Sequence, residues 1–288
     1  MEGKRNFIEK SRVPEASDYN IMSYEEYAHS EHETPYVFEL EKGRKKLVYF
    51  GARHSNDVNE PMFNDIENEF RMTNPQMVFV EGMTSLAARK QQVLEKVSQT
   101  DRATLINDAG EGGLALKLAT ESGADVESPE PDFKSEIEYV VEKGYEPEDI
   151  FAYYMYRVVD QYHRTPEKPS IADYLAPYLR EFKEQSNWED FDYSVEHLEQ
   201  IGKRIWGEKG SLAETEGSRT DPVKWEGSEE QWTDVNRVSQ ESSYFRDQFM
   251  VKRVAEVLKD HDRVFIVFGG SHAYMQEPAL RKMFQDMK

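Results

Sequence analysis

The chain contains no cysteine among its 288 residues. Disulfides, thiolate nucleophiles and cysteine-ligated zinc or iron–sulfur sites are therefore excluded. It also contains no apolar run near the roughly 20 residues that cross a bilayer, and its first residues lack the apolar segment of a secretory signal. These absences predict a cytoplasmic protein.

Basic residues are scarce relative to acidic ones, with 36 Lys and Arg against 56 Asp and Glu, which gives a formal net charge of -20. Such a charge repels phosphate backbones and anionic lipids, so neither nucleic acid nor a membrane is expected as a partner. A heavily solvated surface accounts for the acidity. Hydrophobic residues make up 38% of the chain, which is enough for a core. The composition does not decide whether the protein forms a homo-oligomer.

The two ends of the chain alternate between strand and helix patterns. Compact apolar runs between turn residues predict a hairpin or two short strands at 35–40 and 47–50, and further strands at 76–80, 123–126 and 263–268. The segment 123–126 has the weakest signal. Helical periodicity predicts helices at 63–70, 85–99, 113–122 and 239–259, with a short terminal helix after residue 272.

The middle of the chain has a different character. Three helical stretches, 148–162, 171–185 and 194–206, are rich in Tyr and Phe at helical spacing, which we interpret as packing rather than a ligand site. Residues 207–235 are polar and without a period, which predicts a long loop or a mobile lid.

This order predicts an α/β fold: a central, mostly parallel or mixed sheet flanked by helices, with an inserted helical cap. The predicted divisions are a polar lead-in at 1–35, an α/β core made of 36–132 and 237–288, and a helical insertion at 133–236 that includes the long polar loop.

Two Gly-x-x-His motifs follow the best strand candidates: Gly51 to His54 and Gly269 to His272. With 16 glycines and 7 histidines in the chain, about 0.4 such spacings are expected by chance. Glycine lets the chain turn sharply off a strand, and the carboxyl edge of an open α/β sheet is where ligands collect. The pair therefore predicts two histidines at one shared site.

Acidic residues follow two further strands. Glu81 comes directly after 76–80, and Glu127 and Glu130 come at the end of the weaker strand. If these strands run parallel to the first two, their ends converge, and two imidazoles with one or two carboxylates suit Zn²⁺, Mn²⁺, Co²⁺ or Fe²⁺. We favour a functional role for Glu81, where a helix-capping acid is the alternative, and not for Glu127.

The helix predicted at 239–259 carries charge on its apolar face. Asp247 falls inside the stripe that contains Met250, and Arg246 lies at its edge. A buried structural ion pair and a site role are equally compatible with this pattern. In the second case Arg246 would bind an oxyanion or a substrate carboxylate, and Asp247 would orient a ligand histidine.

Other candidates have weaker signals. Glu111 precedes a glycine pair and a helix, so it could be a further site acid, although loop flexibility also explains the glycines. Ser271 lacks the Gly-x-Ser-x-Gly context, which argues against a serine mechanism. The remaining histidines are interpreted as surface or packing residues: His29, His32, His163, His197 and His261.

Taken together, these motifs resemble the TraB/PrgY and Tiki families, whose wider superfamily includes erythromycin esterases and ChaN-like haem-binding proteins. The resemblance covers roughly 36–132 and 237–288, more than half of the chain. It rests on two strands ending in Gly-x-x-His, a strand ending in Val-Glu, a late Arg-x-x-x-Met helix, and Gly112-Gly113-Leu114-Ala115 leading to Gly123-Ala124-Asp125-Val126. Asp247 departs from the pattern, which often has Asn there.

The resemblance implies a metal-dependent peptidase or related hydrolase in which His54, Glu81 and His272 hold the metal. Arg246 would stabilise the oxyanion, Asp247 would orient a histidine, and the base or fourth ligand would be Glu111 or Glu130, with Glu130 assigned to the metal. The substrate would be a peptide or a small ester or amide.

Three alternatives stay open at this point. One is a metal-independent esterase in which a histidine and Glu81 form a general base. Another is a non-catalytic, ChaN-like protein that carries haem or a metal ion. The last, disfavoured by the intact constellation of residues, is a degenerate member that acts only through its acidic surface.

Overall fold

The structure of the protein is a computed structural model that describes residues 20–83, 86–164, 169–214, 217–227 and 232–287. The first 19 residues of the predicted lead-in, and residues 215–216 and 228–231 of the predicted polar loop, lie outside these ranges. The described part of the chain contains no helix that is long and apolar enough to cross a membrane.

A five-stranded sheet runs in the order β1-β2-β5-β3-β4. The strands are β1 (Tyr36–Lys42), β2 (Lys45–Ala52), β3 (Met77–Val80), β4 (Asp125–Glu127) and β5 (Arg263–Gly269). β1 pairs with β2 as an antiparallel hairpin, and every other pairing is parallel. The predicted α/β class with a mostly parallel, mixed sheet is confirmed.

Helices account for the remaining regular structure in the described ranges. They are α1 (Tyr24–Ala28), α2 (Met62–Thr73), α3 (Leu86–Gln99), α4 (Arg102–Ser122), α5 (Phe133–Glu142), α6 (Pro147–Arg164), α7 (Ile171–Ser186), α8 (Val195–Trp206), α9 (Asp234–Val257) and α10 (Gly270–Asp286). Two 3₁₀ helices, Gly207–Gly210 and Gly217–Thr220, occur where the sequence predicts only loop.

The chain divides into two compact units. The first takes in Glu31–Glu130 and Asp247–Lys288, and the second takes in Ser23–Ser30 and Pro131–Arg246. The second part of the first unit begins within α9 at Asp247, ten residues after the start predicted at residue 237. We refer to them as the sheet unit and the helical unit.

The core of the sheet unit forms because its central strands are buried on both faces, as expected for parallel strands covered by helices. Phe63, Ile66 and Phe70 of α2 pack against β2, β3 and β5. Phe70 meets Phe265 of β5 edge to face, with ring centroids 5.6 Å apart. The apolar runs that predicted the strands therefore also supply this core.

The helical unit has a separate aromatic core. Ile150, Tyr153 and Tyr154 of α6 are buried in it, together with Phe182 of α7. The interpretation of the Tyr-rich stripe as packing is confirmed for these three residues. Side-chain caps begin α5, α7 and α8, at Asp132, Ser170 and Ser194, as expected for residues that accept from exposed helix amides.

We expect Phe265→Ala to lower the free energy of unfolding by about 3–5 kcal/mol, because the fully buried ring would leave a cavity between β5 and α2. Val37→Ala is the control: Val37 is 41% exposed on β1, so its loss should change stability by about 0.5 kcal/mol or less. Chemical denaturation measures both. Equal, small losses would contradict the described core.

Candidate active site

Three neighbouring parallel strands end at the same edge of the sheet. In the register of β2 and β5, Ala52 pairs with Gly269, and in that of β3 and β5, Val80 pairs with Val267. His54 follows two residues after Ala52, and Glu81 follows directly after Val80. The predicted convergence of the strand ends is therefore present.

His54 lies in the loop after β2, with its side chain 69% exposed. Its Nδ1 lies 2.5 Å from Oε1 of Glu111, which is itself buried. A ring nitrogen bonded to a carboxylate carries the proton and donates it, which leaves Nε2 as the nitrogen with a lone pair. Glu111 thereby fixes the tautomer of His54.

A kink in α4 brings Glu111 to this position. Gly110 has φ +56° and ψ -140°, a conformation that favours glycine. A Cβ on Gly110 would also lie 2.8 Å from the carbonyl oxygen of Ser55, the residue after His54. The close approach of α4 to the His54 loop therefore depends on this glycine.

The next two glycines belong to the helix rather than to a flexible loop. Gly112 and Gly113 lie within α4, not before a helix as predicted from the sequence. A Cβ on Gly113 would lie 2.5 Å from the carbonyl oxygen of Leu105. Loop flexibility is thus the wrong explanation for this pair, since both glycines are helical and Gly113 has no room for a side chain.

His272 lies in the first turn of α10, so the second Gly-x-x-His motif is a helix start rather than a free turn. Its Nδ1 is 2.7 Å from Oδ1 of Asp247, and its side chain is only 14% exposed. The contact between Asp247 and a histidine that the sequence suggested is present. Here too the carboxylate holds Nδ1–H and leaves Nε2 as the lone-pair nitrogen.

Gln276 and Tyr49 extend this contact and were missed from the sequence. Gln276 donates from Nε2 to Oδ1 of Asp247 at 2.6 Å, and the Tyr49 hydroxyl donates to Oε1 of Gln276 at 3.3 Å. Gln276 is four residues after His272 on α10, so helical spacing would have found it had the bounds of this helix been predicted. Tyr49 had no signal apart from its place in β2.

The carboxylate of Asp247 is almost fully buried, with 1% of the residue exposed. Its Oδ2 has no hydrogen-bond partner within the described ranges. A buried carboxylate needs a compensating positive charge. Protonation of His272, or a cation bound to the far nitrogen of its ring, would supply that charge.

Glu81 completes the arrangement. Its Oε2 accepts from the amide of Gly269 at 2.7 Å. A methyl group on Gly269 would lie 3.4 Å from Glu81 Oε2, 3.4 Å from His272 Cδ2 and 3.6 Å from His54 Nε2. The three side chains predicted as ligands therefore surround the Gly269 α-carbon, and we call the space between them the Gly269 cradle.

The other acids after the strands have different positions. Glu127 pairs with Phe79 in the sheet register, two residues short of Glu81, and forms an ion pair with Arg253. Glu130 accepts from the amide of Gly82 at 2.5 Å and from Ser128 at 2.9 Å. The ion pair agrees with the preference for a structural role of Glu127. Glu130 lies beside the loop that carries Glu81.

Arg246 is buried on α9 and belongs to the helical unit, whereas Asp247 belongs to the sheet unit. The role of Arg246 at an oxyanion stays a prediction.

The types of donor present suit a divalent metal ion. Two imidazoles with their Nδ1 atoms on carboxylates and one further carboxylate border a space that any larger residue at 269 would fill. Within the described ranges, however, no group of three or more His, Cys, Asp or Glu has the geometry of a metal site. The side chains are oriented toward one space without closing to ligation distance.

The His272 tautomer offers a direct test of this geometry. We expect NMR ¹⁵N shifts of the neutral His272 ring to place the proton on Nδ1 in the wild type, because Asp247 accepts from it. In Asp247→Ala the shifts should show a mixture of the Nδ1–H and Nε2–H tautomers. Asp260→Ala, which removes an exposed acid of the same unit, should behave as the wild type. A wild-type ring protonated on Nε2 would contradict the arrangement.

Two carboxylate-oriented histidines and a glutamate thus meet at the carboxyl edge of a parallel sheet, a position where α/β proteins bind their ligands. These residues and their geometry, together with the sequence, are what support a function. No protein-family model, no curated protein and no solved structure matches the chain.

Proposed function

We propose that the protein is a metal-dependent hydrolase of the TraB/Tiki type that cleaves a peptide (amide) or ester bond with metal-activated water. The single observation that carries the proposal is the Gly269 cradle, where atoms of His54, Glu81 and His272 lie 3.4–3.6 Å from the position of a Cβ on Gly269. The sequence resemblance adds the reaction class and the role of these three residues as ligands.

His54 and His272, through Nε2, and Glu81 would hold the ion, with Mn, Co, Zn or Fe as the candidates. A divalent ion in such a site lowers the pKa of bound water and polarises a substrate carbonyl. Glu111 and Asp247 act as positioning residues, because each keeps a proton on Nδ1 and so directs the lone pair of Nε2 outward.

Backbone atoms contribute to the same arrangement. The Gly269 amide donates to Glu81 Oε2, which fixes the carboxylate at the end of β5. The absence of a side chain on Gly269 keeps the cradle open for a small ligand.

In this proposal Glu111 orients His54 rather than serving as the base, since its Oε1 is engaged with the ring. Glu130 stays the candidate for base or fourth ligand, and Arg246 for the oxyanion.

A metal-free esterase is the second candidate, and one observation favours it. The sequence named Glu81 as the partner of the histidine base in such an esterase. In the structure Glu111 contacts Nδ1 of His54, and this pair could activate water without a metal. The haem-carrier alternative stays a prediction that an absorbance titration with haem would test. The cytoplasmic location expected from the sequence is likewise a prediction.

We expect metal content to distinguish the two enzyme readings. After loading with Zn²⁺, Mn²⁺ or Co²⁺ and desalting, the wild type should retain an ion, and His54→Ala and His272→Ala should lose it because each removes a ligand. His261→Ala is the matched control: His261 also contacts a carboxylate, Asp125, at 3.4 Å, but lies before β5. Elemental analysis gives the answer.

Equal metal content in the wild type and all three variants would remove the metal site. Hydrolysis of a peptide or ester substrate that survives exhaustive chelation would then assign the activity to the histidine–glutamate base.

The Gly269 cradle predicts an effect for a single methyl group. Gly269→Ala should lower hydrolytic activity on the order of 100-fold, because the methyl would occupy the space between the three side chains and shift any ligand bound there. Thermal stability should change little, because the new contacts of 3.4–3.6 Å are of ordinary van der Waals length. Ser271→Ala, two residues further on, should keep full activity, because no serine nucleophile is involved. Full activity of Gly269→Ala in a substrate screen, together with loss of activity in Ser271→Ala, would contradict the role proposed for the Gly269 cradle.

A further inference from the structure

One arginine in the helical unit is almost completely buried. Arg219, in the 3₁₀ helix Gly217–Thr220, is 2% exposed. Its guanidinium carbon lies 5.2 Å from the centroid of the Tyr156 ring and 5.8 Å from that of Trp206. The two aromatic rings also meet each other edge to face, at 4.8 Å. Arg219 is therefore held by an aromatic pair.

The nitrogen atoms of this group are not satisfied by the protein. Within the described ranges, Nε, Nη1 and Nη2 of Arg219 are buried and have no hydrogen-bond partner, and the same is true of Nε1 of Trp206. Cation–π attraction stabilises a guanidinium charge over the face of a ring, but it is not a conventional hydrogen bond to the N–H groups. Four buried nitrogen donors thus lie close together without an acceptor.

The surroundings of these donors are fixed by tight packing. The Tyr156 hydroxyl donates to the carbonyl oxygen of Gly210. A Cβ on Gly202 of α8 would lie 2.3 Å from that same oxygen, so the 3₁₀ helix after α8 packs directly against it. Trp206, between Gly202 and Gly210, is half-buried, so one edge of the aromatic pair reaches the protein surface.

The charge of Arg219 acts on its neighbour. Burial raises the pKa of the Tyr156 hydroxyl, and the positive charge of Arg219 opposes that rise. Asp160, one helical turn after Tyr156 on α6, is also buried, but the Arg219 nitrogens form no hydrogen bond to it. A buried charge whose donors lack acceptors is costly, and native proteins resolve it with a partner.

We propose that the helical unit binds a small oxyanion, a carboxylate or a phosphate group, in the plane of the Arg219 guanidinium with Nε1 of Trp206 as a further donor. The planar fork of an arginine matches two oxygens of such a group, and the aromatic pair contacts the guanidinium without supplying an acceptor. This site is separate from the Gly269 cradle in residues and in chemistry, and it does not depend on the proposed hydrolase.

The indole N–H of Trp206 reports on the site directly. In ¹H–¹⁵N spectra of the full chain, assigned by Trp206→Phe, sodium acetate or sodium phosphate at constant ionic strength and pH should shift this resonance saturably. Saturation by acetate alone assigns a carboxylate ligand, and saturation by phosphate alone or by both anions includes phosphate. No saturable shift with either anion would overturn the proposal.

Substitutions at Arg219 test the donor. Arg219→Met should abolish the shift. Arg219→Lys keeps the positive charge but loses the planar guanidinium, so the affinity for the anion should fall at least 10-fold. Arg204→Met is the matched control, because Arg204 is exposed on α8 and paired with Glu148; it should bind as the wild type. If Arg219→Met does not fold, Arg219→Lys decides, since wild-type affinity in that variant would overturn the proposed fork.

Discussion

The parallel pairing of β2 and β3 with β5 is the constraint on which the candidate site depends. Because the side chains of a strand alternate in direction, a shift of one residue in either register would turn the residues at the strand ends to the opposite face. The pairing of Ala52 with Gly269 and of Val80 with Val267 brings the ends of the three strands within two residues of one another. The Phe70–Phe265 contact and the apolar faces of the strands hold that register.

Two helices then orient the histidines from outside the sheet. α4 reaches the His54 loop only because Gly110 adopts a positive φ and leaves room for the Ser55 carbonyl. α9 supplies Asp247, whose carboxylate is bonded to both His272 and Gln276 of α10. In each case a buried acid selects the ring tautomer, so the chemistry of the strand ends is determined by residues that lie outside the sheet.

The sequence predicted the strands and the meeting of His54, Glu81 and His272 because these depend on apolar periodicity and on the shared edge of a parallel sheet. It did not predict α5, in which only Ile137 and Val140 are buried apolar residues, or the start of α4 at Arg102. Gln276 was missed because the bounds of α10 were not predicted. Arg219 lies in a stretch without periodicity, where burial is decided by contacts with α6 and α8 that a single sequence does not encode locally.

The two histidines occupy surroundings of different polarity. The ring of His54 is largely in water, whereas that of His272 is enclosed beside Phe268, with ring centroids 5.2 Å apart. Dissolved ions weaken electrostatic attraction at exposed positions far more than at enclosed ones. High ionic strength should therefore weaken the contact between His54 and Glu111 before it weakens the contact between His272 and Asp247.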